Sequence, residues 1–262
     1  GFAGSHLAEE LLEAGYTVSG GLYDDEPTDN IDAVKSQLRL VPLDILKPES
    51  CREAIGECQP DYIFHLAGYA GKAKSTDGER LTFRINIEGT LNVLEAAHRY
   101  GRVKRLIAVS SSDVYGVTPP KGEVYTEEDV LAPVSPYGIS KAATEQTCRY
   151  FFNKHGLPVV VIRAFNHAGP RQGVGFVVAD WAKQVAAVEA GEQEPEISTG
   201  NVNVVKDFSD VRDIVRGYRQ AAEKGEPGEI YQFCSGQSVS VLEVFEGLTE
   251  LSSMKIGRRE DP

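Results

Sequence analysis

The feature that most constrains this chain is its alternation. Short apolar, β-branched runs recur between longer stretches in which apolar residues return every three or four positions. Strand and helix in alternation build a parallel sheet with helices on both faces. The spacing predicts a first helix from about Gly4 to Ala14, with Leu7, Ala8, Leu11 and Leu12 on one face and Gly15 as its stop. Strands follow at 17–23 and 38–43, a short helix after Pro48, and a buried strand at 62–67. A long helix covers 84–100, and 105–110 reads as a central strand. Ser135-Pro136 opens a helix that ends near His155-Gly156, and 159–163 is another buried strand.

Beyond Arg163 the rhythm loosens. Gly169-Pro170 stops Phe165-Asn166-His167-Ala168 from continuing as a strand. A helix at 176–190, a strand at 196–199, a helix at 210–223, a strand at 230–233 and a last helix from Val241 follow. The expectation is a main domain over 1–165 and a smaller lobe over 166–262, interleaved with the end of the main sheet and able to close over a substrate.

Composition removes several function classes. The formal net charge is −12, with no lysine- or arginine-rich cluster, so neither nucleic acid nor an anionic membrane surface is an expected partner. The longest aliphatic stretch, Leu157 to Ile162, is broken by Pro158 and falls far short of the roughly 20 residues a spanning helix needs. Cys51, Cys58, Cys148 and Cys234 have neither C-x-x-C spacing nor secreted-domain density, so they read as reduced thiols of a cytoplasmic protein. No His, Cys and Asp cluster has metal-ligand spacing, so no metal is expected.

A helix that opens on glycines holds pyrophosphate, because the backbone approaches the oxygens closely and the unpaired amides face the anion. Gly1 and Gly4, directly before an amphipathic helix, fit the second and third glycines of G-x-x-G-x-x-G; an ordinary tight turn is the alternative. Asp24-Asp25 end the strand at 17–23, where an acidic residue about 20 positions on can grip an adenosine ribose; a solvated turn is the alternative. Two carboxylates repel a 2′-phosphate, and no Arg or Lys occurs before Lys35, which leans toward NAD over NADP. Asp44-Ile45, after the next strand, is either an adenine clamp or a turn cap.

The strongest chemical signal is Ser110-Ser111-Ser112-Asp113-Val114-Tyr115-Gly116 at a strand end, followed by Ser135-Pro-Tyr137-Gly-Ile-Ser-Lys141. Tyr137 and Lys141 are four apart and share a helix face. An ammonium beside a phenol is expected to lower its pKa and make it a usable proton donor and acceptor, while a serine hydroxyl at the strand end binds a carbonyl oxygen.

With these residues in this order the chain resembles the extended short-chain dehydrogenases/reductases that act on nucleotide sugars. The resemblance runs through Gly1-Phe2-Ala-Gly4, Asp44-Ile45, His65-Leu-Ala-Gly68, Asn86-Ile-Glu-Gly-Thr90, the serine cluster, Tyr137/Lys141 and Arg163-Ala-Phe-Asn-His-Ala-Gly-Pro170. It implies a Rossmann-type doubly wound parallel sheet with a smaller C-terminal substrate-binding lobe. Ser111, Tyr137 and Lys141 become the catalytic set. Gly1, Phe2 and Gly4 surround the pyrophosphate, Asp24, Asp44 and Ile45 the adenosine, and Leu66, Ala67 and Gly68 pass under the cofactor. Asn86 shapes the site beside the nicotinamide, or else caps a helix. Ser112, Asn166, His167, Val177 and Lys206 become substrate contacts, with Asn166 at the phosphates.

The second half, from Phe165 through Gly175-Phe-Val177 to Val205-Lys206-Asp-Phe, resembles most the GDP-4-keto-6-deoxymannose reductases, which make GDP-deoxyhexoses such as GDP-rhamnose, and next the GDP-mannose 4,6-dehydratases. Lys206 stands where these families usually carry Arg, keeping the charge but losing a bidentate fork. A dehydratase also removes the C5 proton, using a glutamate where this chain has the shorter Asp113. A 4-epimerase needs no such acid. A dinucleotide-binding regulatory protein is the non-enzyme alternative, which the presence of Ser111, Tyr137 and Lys141 speaks against. The resemblance further implies NAD or NADP as cofactor, a GDP-linked nucleotide sugar as substrate, and a homodimer through helices 84–100 and 137–155. Because Gly1 falls inside the phosphate turn, the polypeptide is expected to extend on both sides of this sequence.

Overall fold

The computed structural model describes residues 1–24, 26–70, 75–117 and 124–260. They form two compact units. The first holds Gly1, Ala3–Phe165 and Arg212–Phe233; the second holds Phe2, Asn166–Val211 and the stretch from Cys234 onward. In chain order the elements are α1 (Phe2–Glu13), β1 (Ser19–Leu22), β2 (Arg39–Pro42), α2 (Pro48–Cys58), β3 (Tyr62–His65), α3 (Thr76–Phe83), α4 (Gly89–Tyr100), β4 (Arg105–Ser111), α5 (Pro136–His155) and β5 (Val159–Ala164). Then come β6 (Asn166–Ala168), α6 (Val177–Glu189), β7 (Glu196–Thr199), β8 (Val205–Asp210), α7 (Val211–Lys224), β9 (Ile230–Phe233), β10 (Ser238–Ser240), α8 (Val241–Glu250) and β11 (Gly257–Glu260).

The first unit is built on a four-stranded parallel sheet in the order β3-β4-β5-β9, with β1 and β2 as a separate parallel pair. Strand β5 is Val-Val-Val-Ile-Arg-Ala and is buried along its whole length, as a continuous β-branched run in a parallel sheet should be. Its neighbour β4 contributes Leu106, Ile107 and Ala108, all fully buried. Burying each large aliphatic side chain contributes roughly 1.5–3 kcal/mol, so this pair anchors the sheet. Leu94 and Ala97 of α4 and Phe151 of α5 complete the same core.

Ser135 starts α5 by accepting a hydrogen bond from the Gly138 amide, with Pro136 at the first helical position. Gly156 ends it in the left-handed region, φ 67°. The helix expected at 84–100 is longer and irregular: α3 begins at Thr76, capped by the Ser75 hydroxyl, and a wide π turn at Arg84–Glu88 joins it to α4.

The second unit has a three-stranded sheet, β10-β8-β6, and a parallel pair, β7-β11, around a core that includes Trp181, Val185, Ile197 and Phe245. Strands β6, β8, β10 and β11 are not foreshadowed in the sequence; Asn166–Ala168, expected not to continue as a strand, forms β6 by pairing with β8 and ends just before Gly169-Pro170. Strand β8, Val-Lys-Asp-Phe-Ser-Asp, carries no apolar run and exists because β6 pairs with it in parallel and β10 antiparallel.

Candidate active site

Pairing of Ser110 with Arg163 and Ser111 with Ala164 places the serines at the carboxyl end of β4, the edge where open α/β sheets bind ligands. Ser111 then caps the short turn Ser112–Tyr115, its Oγ accepting from the Asp113 amide at 3.1 Å. Helix α5 is pressed against that turn at Gly138, where a Cβ would stand 2.5 Å from the Asp113 carbonyl oxygen. The consequence is direct: the Tyr137 phenol, next in sequence to Gly138, is brought close enough to Ser111 for that hydroxyl to favour its ionised form. One turn on, buried Lys141 donates from Nζ to the Val109 carbonyl at 2.8 Å and lies 5.7 Å from the Tyr137 ring centroid.

The electrostatics correct one expectation. Burial pushes the Tyr137 phenol up to about 12 and the Asp113 carboxylate adds to that, while the Ser111 hydroxyl opposes it. The ammonium does not dominate the phenol, because Lys141 is itself desolvated, down to about 8, and spends a proton on Val109. The nearby Glu145 and Cys148 favour its charged form.

Asn86 sits in the π turn and is 1% exposed, so it is not a helix cap. Its side chain clamps the Tyr69 peptide from both ends: Oδ1 accepts from Tyr69 N at 2.7 Å and Nδ2 donates to Tyr69 O at 3.1 Å. Nδ2 also reaches Ser140 Oγ on α5 at 2.8 Å, and the Asn86 carbonyl accepts from Thr90 and Thr144. Gly68 lies over this clamp. A Cβ there would come within 3.1 Å of Asn86 Oδ1 and 3.5 Å of Lys141 Nζ, so the bare backbone leaves a shallow cradle. His65, beneath, places Nε2 2.9 Å from Thr90 Oγ1; burial and the Lys141 charge drive it down to about 3, so it is neutral.

The other sequence candidates are placed as follows. Gly1 caps α1 and Gly4 lies in its first turn, and a Cβ on either meets nothing within 4 Å, leaving that helix end open. Phe2 stacks on the His167 ring at 5.9 Å. Asp24 is exposed with φ 40°, and Asp25 lies outside the described residues. Asp44 caps its own turn through the Leu46 amide and pairs with Lys47 at 3.2 Å. Ile45 is core, buried beneath Gly89. Leu66 is half-buried, and Ala67 and Gly68 are exposed. Ser112 is half-buried and Asp113 exposed in their turn. In the second unit Asn166 Nδ2 donates to the Asp207 carbonyl at 3.3 Å, Lys206 lies on β8 opposite Val239, and Val177 opens α6.

Sequence reasoning places Thr144 on the Tyr137–Lys141 side of its helix but gives no role to it or to the other buried polar partners, Thr90, Ser140, Glu145 and Tyr115. Glu145 could have been found, because it continues the Tyr137–Lys141 helix face by one more turn. Among the described residues no group of three His, Cys, Asp or Glu side chains is placed to hold a metal, and no helix is long and apolar enough to cross a membrane.

An open helix end, a glycine cradle backed by Asn86, and a Ser–Tyr–Lys set at the sheet edge suit a nicotinamide dinucleotide, with Gly1, Gly4 and Gly68 giving the close approach. Fold and site together define an extended short-chain dehydrogenase/reductase. The family model for GDP-mannose 4,6 dehydratase matches residues 1–260, and the chain belongs to that family. It is 35% identical over 219 residues to the GDP-6-deoxy-D-mannose reductase of Pseudomonas aeruginosa, an alignment covering 84% of this chain and 72% of that one. The structure of RMD from Pseudomonas aeruginosa complexed with NADPH is 32% identical with a TM-score of 0.84, covering 100% of this chain and 82% of the other. The UDP-glucose 4-epimerase of Thermus thermophilus in complex with NAD has a TM-score of 0.86 at 28% identity, covering 99% and 83%.

Proposed function

We propose that this chain reduces the C4 ketone of a GDP-4-keto-6-deoxyhexose to the alcohol, giving a GDP-deoxyhexose such as GDP-rhamnose. The observation that carries the reading is the meeting of Ser111, Tyr137 and Lys141 at the end of β4. When bound, a reduced nicotinamide dinucleotide would supply hydride for the C4 carbon. The Ser111 and Tyr137 hydroxyls donate to the carbonyl oxygen as it gains negative charge, and Tyr137 gives up its proton to complete the alcohol. A phenol held near 12 is a firm donor in the ground state and yields its proton only to a strongly basic alkoxide. Lys141, an ammonium at neutral pH, stabilises the phenolate left behind and would hold the nicotinamide ribose. Asn86 and Gly68 shape the cradle beside it.

Gly1, Phe2 and Gly4 would hold the pyrophosphate and Asp24, Asp44 and Ile45 the adenosine. Ser112, Asn166, His167, Val177 and Lys206 would contact the sugar nucleotide. Acidic Asp24 favours NAD, whereas the NADPH in the Pseudomonas structure favours the phosphorylated cofactor, so both belong in the test. Exposed Leu91, Ile139 and Tyr150 on α4 and α5 support a homodimer through those helices, and four cysteines without a disulfide support a cytoplasmic setting. A second reading, GDP-mannose 4,6-dehydratase, draws on the family model and on the carboxylate at Asp113.

The protein is incubated with GDP-4-keto-6-deoxymannose and with GDP-mannose, each with NADH or NADPH and with the oxidised forms, and products are analysed. Reduction of the keto sugar, lost by about a hundredfold or more in Tyr137→Phe, is expected. Conversion of GDP-mannose alone would replace the reductase reading with the dehydratase one. A monomer by sedimentation would refute the dimer.

A further inference from the structure

Beyond Ser111, Tyr137 and Lys141, the buried side chains of Ser110 and Tyr115 converge on one ion pair. Glu145 lies one turn past Lys141 on α5; its side chain is 1% exposed and that of Arg163 3%. The carboxylate accepts from Ser110 Oγ at 2.6 Å, Arg163 Nε at 3.0 Å and Arg163 Nη2 at 2.8 Å. Arg163 Nη1 continues to Tyr115 Oη at 2.6 Å and to the Glu127 carbonyl at 2.9 Å. Tyr115 Oη donates to the Thr126 carbonyl. An apolar pair of similar volume often stabilises a core as well as a buried ion pair does, so stability alone does not account for this one. What the contacts join is specific. Ser110 precedes Ser111, Tyr115 closes the turn that carries Asp113, and Glu145 belongs to the helix that carries Tyr137 and Lys141.

We propose that the Glu145–Arg163 pair is the positioning device of this site: it sets the spacing of α5 from β4 and fixes the Glu145 carboxylate one helical turn from Lys141, with the Arg163 guanidinium offsetting its charge. The inference rests on the reductase reading above. The groups facing Lys141 are Tyr137, Glu145 and Cys148 from its own helix, neutral His65 from β3 and the Val109 carbonyl from β4, with Asp113 acting on Tyr137. Burial pushes the Cys148 thiol up to about 12, which leaves Glu145 as the anion beside the lysine.

The test reads Lys141 directly. Protein labelled with [13Cε]lysine is titrated by NMR, with the Lys141 signal assigned from Lys141→Met. The expected result is a lower Lys141 midpoint in Glu145→Gln, a higher one in Arg163→Gln and a return toward the parent in the double variant. With GDP-4-keto-6-deoxymannose, kcat falls about tenfold or more in each single variant while KM changes little, and the alkaline limb of kcat follows the midpoint. An unchanged midpoint, or shifts of the same sign, would overturn the proposal and leave only a structural pair. Should Glu145→Gln not fold, Arg163→Lys keeps the charge and loses the fork: a lowered kcat with an unmoved midpoint is expected, and parent-like kcat would overturn positioning. If the parent turns over no nucleotide sugar, the reductase reading fails while the Lys141 titration still decides the electrostatic role.

Discussion

Acid stability isolates the role of His65. Thr90 Oγ1 donates to the Asn86 carbonyl at 2.6 Å, so its oxygen accepts from His65 Nε2–H at 2.9 Å, which fixes the tautomer of the neutral ring. Burial, aided by the Lys141 charge, lowers this histidine from 6.5 to about 3. A folded-state pKa below the unfolded one means that the unfolded chain takes up a proton first. The contribution to stability is therefore complete above about pH 6.5 and is lost progressively as pH falls toward 3. At about 1.4 kcal/mol per pH unit, lowering pH from 7 to 5 removes about 2 kcal/mol through this one residue. His65→Gln keeps an amide N–H near the Nε2 position and cannot titrate. Urea unfolding of parent and variant at pH 7 and pH 5 gives the difference of differences, in which carboxylates common to both cancel. The variant is expected to lose about 2 kcal/mol less than the parent between the two pH values. Equal losses would refute the neutral buried histidine.

Two further outcomes follow from the site geometry. Gly138→Ala drives a methyl against the Asp113 carbonyl, a backbone atom that no rotamer change relieves, so α5 must move from the Ser111 turn; kcat should fall by about a hundredfold with the protein still folded by circular dichroism, and near-parent activity would refute the contact. Lys141, lowered from 10.5 to about 8, should give kcat an alkaline limb near pH 8. Between about pH 8 and 10.5 the unfolded chain holds more protons at this residue, so its share of stability rises by about 3 kcal/mol while activity falls; a parent and Lys141→Met with parallel stability profiles there would refute this.

The parts of the molecule legible in the sequence are those decided by neighbours in the chain. The apolar run of β5, the Ser135-Pro136 start and Gly156 stop of α5, and the four-residue spacing of Tyr137 and Lys141 are local signals, and each is found in the structure. Strand β8 was not legible, because Val-Lys-Asp-Phe-Ser-Asp becomes a strand only through pairing with segments that begin at Asn166 and Ser238. The π turn at 84–88 escaped for a similar reason. Its partners Thr144 and Ser140 are more than fifty residues away, although Ser75 with Asp77 and Glu79 was a readable start for α3. Direction of charge was the least legible property of all, since spacing shows that Lys141 can approach Tyr137 but not that both are desolvated.

The burial pattern of α5 explains why so much of the site is non-local. The buried residues of that helix are Gly138, Ser140, Lys141, Thr144, Glu145, Cys148 and Phe151, a face with little aliphatic surface. Apolar contact is non-directional and lets a helix slide by fractions of a turn at small cost, whereas hydrogen bonds fix both distance and angle. Ser140 and Thr144 tie the helix to Asn86 of the π turn, and Glu145 ties it through Ser110 and Arg163 to β4 and β5. Lys141 lies between the two sets of ties. A wide turn at Asn86 supports this arrangement, because it presents the Asn86 carbonyl to the Thr90 and Thr144 hydroxyls. The regular helical turn forgone at Arg84–Glu88 and the apolar face forgone by α5 are thus exchanged for a fixed position of Tyr137 beside Ser111, which the proposed hydride and proton transfer to a single carbonyl requires.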